Sequence, residues 1–131
     1  MERQTAVVDA SVLHKWFVKE EDSDEALALK NAVVSGHLHI VAPDVVLLEI
    51  MNSLWYKGRK GEEIVRALTF LRNSLYVLPM EAALAERTLQ AASAYTLSMY
   101  DAAYVGAADL VNCKLITADK KLSKTPRGQL L

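Results

Sequence analysis

Several features that commonly reveal a protein's chemistry are missing from this chain of 131 residues. The single cysteine, Cys113, excludes an intramolecular disulfide and a cysteine-based metal site, and it favours a reducing compartment such as the cytoplasm. There is no glycine-rich phosphate loop and no nucleophile elbow, which excludes simple nucleotide-binding and acyl-transfer enzymes. The longest apolar stretches are interrupted by Glu49, Glu86 or Asp109, so none approaches the roughly 20 residues that span a membrane. The start, MERQTAVVDA, also lacks the apolar segment of a signal peptide.

A large net charge is also absent, since the formal value is −1. The chain therefore has no global basic field that would attract nucleic acid. The charges are nevertheless grouped into one acidic and two basic clusters. The acidic cluster comprises Glu20, Glu21, Asp22, Asp24 and Glu25, and the basic clusters comprise Lys57, Arg59, Lys60, Arg66 and Arg72, and Lys114, Lys120, Lys121, Lys124 and Arg127. Each cluster alone is typical of solvated surface, but basic residues beside an acidic centre could hold a phosphate backbone there.

Periodicity and capping residues predict four strands separated by pairs of helices. The strands are predicted at residues 4–9, 37–42, 75–79 and 114–119. The helices are predicted from Ser11 to about Lys19, Asp22 to near Gly36, Pro43 to Gly58, Gly61 to Asn73, residues 80–95, and Ser98 to near Asn112, with a short helix or turn after the last strand. Ser11 is expected to cap the first helix, and Asp22 with Glu25 to form a capping box. This alternation predicts one α/β domain over residues 1–131, with a mostly parallel sheet covered by helices on both faces.

Four acidic residues stand out, because three of them adjoin apolar runs that should be buried. They are Asp9 in TAVVDAS, Glu49 in VVLLEIMNSLW, Asp101 in SMYDAAYVGAA and Asp119 in KLITADKKL. Lone carboxylates are rarely buried, since desolvating one is unfavourable unless a cation or donor compensates. Neighbouring carboxylates cannot compensate each other, because like charges raise each other's pKa. A hard cation such as Mg²⁺ or Mn²⁺ can, because it prefers oxygen ligands.

The predicted elements place these acids where they can meet. In open parallel sheets, functional groups collect at the carboxyl ends of the strands. Asp9 ends the first predicted strand, and Asp119 ends the fourth. Asp101 lies in the first turn of the helix that leads into the fourth strand, and Glu49 lies near the second turn of the helix after the second strand. All four could therefore reach one rim of the sheet.

Each acid also has a structural explanation. Asp9 and Asp119 could each cap the helix that follows, and Asp101 fits a capping box with Ser98. Glu49 fits such an explanation least well, because we expect its helix to be buried on most sides and no Lys or Arg adjoins it. The joint pattern favours a functional site, since clustered charges in clefts mark function.

Three polar residues accompany the acids. Ser11 and Thr117 each lie two residues from an acid, where a hydroxyl could orient a carboxylate or a water molecule. Asn52, one turn after Glu49, could bond to it or to a ligand. His14 lacks a base and nucleophile partner and is expected at the surface or rim. The tryptophans and tyrosines are expected in core or interface packing.

The segments VVDASVL, PDVVLLEIMNSL, YDAAYVGAA and LITADKKL, in this order and spacing, resemble PIN domains, specifically the VapC-type toxins of prokaryotic toxin–antitoxin pairs. The resemblance spans nearly the whole chain. It implies an α/β/α sandwich, Mg²⁺- or Mn²⁺-dependent endoribonuclease activity, homodimerisation, and inhibition by a small VapB-like antitoxin whose tail enters the acidic groove. Carried over by position, it implies metal binding and catalysis by Asp9, Glu49, Asp101 and Asp119, with Ser11, Asn52 and Thr117 in support.

Other acidic α/β proteins fit less well. A phospho-acceptor receiver needs an acid pair after the first strand and an acceptor aspartate ending the third, where this chain has Leu78 and Pro79. A haloacid-dehalogenase-type phosphatase needs Asp-x-Asp, but Ser11 takes the place of the second acid. A non-catalytic PIN-fold module that binds RNA or protein remains the alternative, although none of the four acids is lost.

Overall fold

A computed structural model describes residues 3–131. The strands are β1 (Gln4–Val8), β2 (Leu38–Pro43), β3 (Tyr76–Leu78), β4 (Lys114–Thr117) and β5 (Gly128–Leu130). The helices are α1 (Ala10–Leu13), α2 (Ser23–Val34), α3 (Val45–Tyr56), α4 (Gly61–Ser74), α5 (Ala82–Tyr95), α6 (Met99–Val111) and α7 (Lys120–Ser123), with a 3₁₀ turn at His14–Trp16 after α1.

All strand pairings are parallel, in the order β3-β2-β1-β4-β5. In the central strand β1, Val7 pairs with Val41 on one side and Leu115 on the other. The chain moves outward from β1 through β2 to β3 and then returns to β4 on the opposite side of β1. Because crossovers between parallel strands are right-handed, this reversal places α1 to α4 on one face and α5 to α7 on the other. The predicted α/β/α sandwich with a parallel sheet is confirmed.

The core lies on both faces of the inner strands. The consecutive residues Ala6, Val7 and Val8 are fully buried, as expected for a parallel sheet covered on two sides. Helix α6 is buried continuously over residues 102–108 and packs against α5 and the sheet. Among the described residues, 3–131, no helix has the length and apolar character needed to cross a membrane.

The sheet has a fifth strand, β5, that the sequence pattern did not predict. Its three residues, Gly-Gln-Leu, carry neither alternation nor β-branched side chains. The strand exists because it pairs with β4, with Gln129 opposite Ile116. The first helix is also shorter than predicted, since α1 passes into the 3₁₀ turn and ends at Trp16 rather than Lys19. The Trp16 indole N–H donates to the Ala26 carbonyl oxygen at 2.8 Å and ties this turn to α2.

Two predicted helix caps are wrong. Ser11 lies inside α1, and its hydroxyl donates to Asp9 Oδ1 at 2.5 Å instead of capping the helix. The capping box at Asp22 does not form, because this residue adopts a left-handed φ of 63° and makes no side-chain cap bond. The hydroxyl oxygen of Ser23 instead accepts the Glu20 N–H at 2.7 Å.

Helix α3 is not buried on most sides, contrary to expectation. Its buried residues are Val46, Ile50 and Leu54. Its large exposed apolar residues are Leu48, Met51, Trp55 and Tyr56. Trp55 and Tyr56 are 68% and 81% exposed, so they do not contribute to the core. Apolar residues lie on both sides of α3, and hydrophobicity alone therefore could not identify the side that faces the core.

Candidate active site

The four predicted acids converge at the carboxyl edge of the sheet. Asp9 follows β1 and Asp119 follows β4, and strand order reverses between these two neighbours, where open α/β sheets bind ligands. Asp101 lies in the first turn of α6, and Glu49 in the second turn of α3. Their charges interact. Asp119 raises the pKa of both Asp9 and Asp101, and these two in turn raise the pKa of Glu49. In each case burial raises the pKa further than the neighbouring charge does.

Asp9 is buried and held by two hydroxyl groups. Ser11 donates to Oδ1 at 2.5 Å, and Thr117 donates to Oδ2 at 2.6 Å. Both hydroxyl oxygens also accept backbone N–H groups, from Ala118 at 3.0 Å and from Asp119 at 2.9 Å. The carboxylate makes no hydrogen bond of cap geometry to α1, although the nearby Val12 backbone N–H lowers its pKa, so capping alone does not account for its position. Burial raises the pKa of Asp9 despite the opposing hydrogen bonds.

Glu49 is bonded to Tyr104, one of the tyrosines that we had expected in core or interface packing. The buried Tyr104 hydroxyl donates to Glu49 Oε1 at 2.5 Å. Burial raises the pKa of Glu49, whereas this hydrogen bond lowers it. Burial and the neighbouring Glu49 carboxylate both raise the pKa of Tyr104, so the phenol remains a donor at neutral pH. The sequence held one indication that Tyr104 belongs to the site. It lies three residues after Asp101, so the two side chains are on the same side of α6.

Asp101 and Asp119 also contribute to helix ends. The Asp101 backbone N–H donates to Ser98 Oγ at 3.2 Å, so its link to the cap is made by the backbone. Burial raises the pKa of the Asp101 carboxyl, Asp119 adds to this, and Lys121 opposes it. Asp119 Oδ1 accepts the N–H groups of Lys121 at 2.7 Å and Leu122 at 3.3 Å, which caps α7. Asp119 therefore does cap α7, as its structural explanation requires. The cap uses only one of the two carboxylate oxygens.

Two open clefts meet beside the acids, and Glu49 and Asn52 line both. One measures about 420 Å³ and is lined also by Ala10, Ser11, His14, Lys15, Glu20, Ser53 and Ala118. The other measures about 400 Å³ and is lined also by Val45, Leu48 and Tyr100. Asn52 is exposed, and His14 lies at the rim as expected, with Nδ1 2.8 Å from Ser53 Oγ. Of the four acids, Glu49 lines these clefts, and they are open enough beside it for an extended ligand.

The donor atoms at this site suit a hard divalent cation. Carboxylate oxygens are the ligands that Mg²⁺ and Mn²⁺ prefer, and burial with mutual repulsion makes a compensating charge favourable. Within residues 3–131, no three His, Cys, Asp or Glu side chains are already gathered around one point that could hold an ion. A bound cation would have to draw these carboxylates closer together. The site therefore has the ligand atoms that a divalent metal prefers, but they are not already arranged around one point. These ligands are the carboxylates of Asp9, Glu49, Asp101 and Asp119.

Comparison with known proteins agrees with the fold and the motifs. The PIN domain family model matches residues 6–128, and the chain therefore belongs to the PIN domain family. The chain is similar to ribonuclease VapC3 of Pyrobaculum aerophilum, with 30% identity over 129 residues that cover 90% of this chain and 92% of the relative. The resemblance to VapC-type PIN domains is thus confirmed.

Solved structures share this architecture. The crystal structure of PAE2754 from Pyrobaculum aerophilum aligns with a TM-score of 0.68 and 26% identity, covering 98% of this chain and 92% of that one. A toxin–antitoxin complex from Klebsiella pneumoniae contains a chain that aligns with a TM-score of 0.71 and 20% identity, covering 96% and 95%. The second likeness is one of fold alone.

Proposed function

We propose that this protein is a metal-dependent endoribonuclease, the VapC-type toxin of a type II toxin–antitoxin pair. The observation that carries the proposal is the convergence of four carboxylates on one sheet edge, with Asp9 held between Ser11 and Thr117. Family membership and the likeness to a ribonuclease support the same reading. Without a cation, such an arrangement of buried and partly buried like charges is unfavourable.

In the proposed site, Asp9 would anchor a Mg²⁺ or Mn²⁺ ion, and Asp101 and Asp119 would complete its ligands. Glu49 would bind the metal or orient the attacking water. The bound ion would supply polarisation of the phosphodiester and a lowered pKa of water, the chemistry that hydrolysis at neutral pH needs. In-line attack by water would leave 5′-phosphate and 3′-hydroxyl ends.

The remaining residues of the site hold the acids in position. Ser11 and Thr117 fix both oxygens of Asp9, so its carboxylate does not rotate freely. Tyr104 fixes one oxygen of Glu49 and leaves Oε2 for metal or water. Asn52 is exposed at the meeting of the two clefts, where its amide can contact RNA or the attacking water. Such preorganisation lowers the reorganisation needed during the reaction.

The proposed partners are RNA, a VapB-like antitoxin whose tail enters the acidic groove, and a second copy of the chain in a homodimer. The Klebsiella pneumoniae structure with the same fold is a toxin–antitoxin complex, which supports the proposal of an antitoxin partner. Contiguous exposed apolar side chains commonly mark protein interfaces, and α3 exposes Leu48, Trp55 and Tyr56. We place this activity in the cytoplasm, where a reduced single cysteine and an RNA substrate are both expected.

The test is cleavage of a labelled mixed RNA pool by the wild type, Asp9→Asn and Asp109→Asn, with Mg²⁺, Mn²⁺ or EDTA. We expect metal-dependent cutting by the wild type, no cutting by Asp9→Asn, and near wild-type cutting by Asp109→Asn. The Asp109 variant is a matched control, because it makes the same change at an acid on α6 that is bonded to Arg127 instead of joining the site. Activity retained in Asp9→Asn would contradict the assignment. No cutting, with no metal binding by calorimetry, would favour the non-catalytic module.

A further inference from the structure

A group of basic side chains lies beside the acidic site and takes no part in the proposed reaction. It surrounds the carboxylate of Glu20, which lies 3.6 Å from His14 Nε2, 3.7 Å from Lys15 Nζ and 3.8 Å from Lys57 Nζ. Arg59 is close enough for its charge to act on His14 as well. Two permanent cations, Lys15 and Lys57, therefore share the Glu20 carboxylate, while Arg59 is paired with Glu63 at 3.8 Å, and the group carries a net excess of one positive charge.

Glu20 is loosely held in this position. Its distances to the three nitrogens exceed the roughly 2.7–2.9 Å of a charge-assisted hydrogen bond. The Glu20 side chain is 34% exposed, whereas those of His14 and Lys15 are each only 12% exposed. Two of its partners are better anchored, since Lys15 Nζ donates to the Glu21 carbonyl oxygen at 2.9 Å and His14 is bonded to Ser53. Burial lowers the pKa of His14, so at neutral pH this ring acts as a neutral hydrogen-bonding group rather than as a cation. A weakly bonded anion beside anchored basic side chains can be replaced by another anion.

The position of this group connects it to the acids. Lys15 and Glu20 line the same cleft of about 420 Å³ as Ser11 and Glu49. A single strand of RNA with its scissile phosphodiester at the acids has to continue through an adjoining cleft. The acids themselves repel the RNA backbone, so a source of positive charge in that cleft would favour binding.

We propose, building on the nuclease function, that Lys15, Lys57 and His14 form a second phosphate site in this cleft. The site holds a backbone phosphate of single-stranded RNA next to the phosphodiester that is cut. Glu20 occupies the site in the RNA-free protein and gives way when RNA binds. The Lys57 side chain is 50% exposed and has the freedom to move onto the incoming phosphate. Arg59 is less available, because its guanidinium donates to the Phe17 carbonyl oxygen at 3.2 Å.

The test measures binding without cleavage. All variants carry Asp9→Asn, and the anisotropy of a fluorescein-labelled ten-nucleotide single-stranded RNA is followed in Mg²⁺ across a salt series. We expect Lys57→Gln and Lys15→Gln each to weaken binding about fivefold and to reduce the slope of log affinity against log salt by about 0.7. Glu20→Gln should tighten binding, because the competing carboxylate is neutralised. Lys114→Gln is the matched control, since this exposed lysine begins β4 at the opposite end of the sheet.

The proposal is overturned if Lys57→Gln and Lys15→Gln bind RNA with the affinity and salt slope of Lys114→Gln, or if Glu20→Gln does not bind more tightly. It is also overturned if these changes weaken binding of a polyglutamate peptide but not of RNA, which would make the group a protein-docking surface. Circular dichroism of each variant checks that the fold is kept.

Failure of the nuclease proposal would look different. A wild-type protein that binds RNA through Lys57 but never cuts it would overturn the nuclease and leave the phosphate site standing. A protein that cuts RNA with no contribution from the two lysines or Glu20 would overturn the phosphate site and leave the nuclease standing.

Discussion

Tyr104 donates a 2.5 Å hydrogen bond to Glu49 and so joins α6 to α3 across 55 residues of the chain. The phenol is only 2% exposed, so the bond is made largely out of contact with water. Each of these helices carries one of the four clustered acids, Glu49 on α3 and Asp101 on α6. A core tyrosine therefore links the position of one acid to the helix that presents another.

Tyr104→Phe should lower the free energy of unfolding in EDTA by about 1–2 kcal/mol, because it removes a donor to a partly buried carboxylate. Urea denaturation measures the change, with the exposed Tyr56→Phe as a neutral control. In a Glu49→Ala background, where the acceptor is gone, the same substitution should have a much smaller effect. An equal loss in both backgrounds would show that the hydrogen bond is not the cause.

Thr117→Val should destabilise the protein by about 1–3 kcal/mol and impair the proposed cleavage. It removes the donor to Asp9 Oδ2 and the acceptor of the Asp119 N–H, leaving buried polar groups unpaired. Thr88→Val is the matched control: this threonine is also buried, but its hydroxyl has no hydrogen-bond partner among residues 3–131. Removing that unpaired hydroxyl should be neutral or stabilising. Equal losses in thermal denaturation of the two variants would contradict the role given to Thr117.

The metal-free protein should lose stability as pH rises. Burial raises the pKa of Asp9, Glu49 and Asp101 above ordinary values of 3.8 or 4.5, so the folded protein holds these protons more tightly than the unfolded chain. Their contribution is fully present below the ordinary values and is lost as pH rises through the raised ones. Asp9→Asn lacks one of these groups, so its stability relative to the wild type should increase as pH rises above the ordinary value of 3.8 and through the raised pKa of Asp9. Urea denaturation in EDTA checks this, and a difference that does not vary with pH would argue against it.

Added Mg²⁺ or Mn²⁺ should oppose this loss, because the metal binds the ionised carboxylates. Metal affinity should increase as pH rises through the raised pKa values. At a metal concentration of about 100 times the Kd, the expected stabilisation is about 2.7 kcal/mol. Thermal denaturation with and without the ion measures it, and EDTA should reverse it. Asp9→Asn should show little shift, while Asp109→Asn should respond as the wild type does.

Gly106→Ala should cost about 1–3 kcal/mol, because the added Cβ would lie 2.7 Å from the backbone nitrogen of Thr88 and would push α5 from α6. Helix α6 carries Asp101 and Tyr104, so the proposed activity should fall as well. Gly61→Ala, in the first turn of α4, is the control: its Cβ would meet no atom within 4 Å, and the change should be neutral or stabilise by up to about 1 kcal/mol. Similar stabilities for the two variants would show that α5 and α6 are not in close contact at this point.

Patterns along the chain were enough to predict the sandwich and the edge where the acids meet. Asp9 and Asp119 directly follow strands, and the carboxyl ends of parallel strands share one edge whatever their order. The role of Ser11 could not be predicted from such patterns. Its hydroxyl can cap a helix or bond to a carboxylate, and the choice depends on Ala118, more than a hundred residues later, which donates its N–H to the same oxygen.

The sequence by itself determined which segments form the α/β layers and which strand and helix ends carry the acids, because both depend on local periodicity and on the direction of parallel strands. Only the tertiary structure decided which face of α3 is buried, that β5 pairs with β4, that Tyr104 bonds to Glu49, and that Lys57 and Lys15 surround Glu20. These relationships join residues far apart in the chain. They depend on the crossing of helices and the order of strands, which nearest neighbours in sequence do not specify.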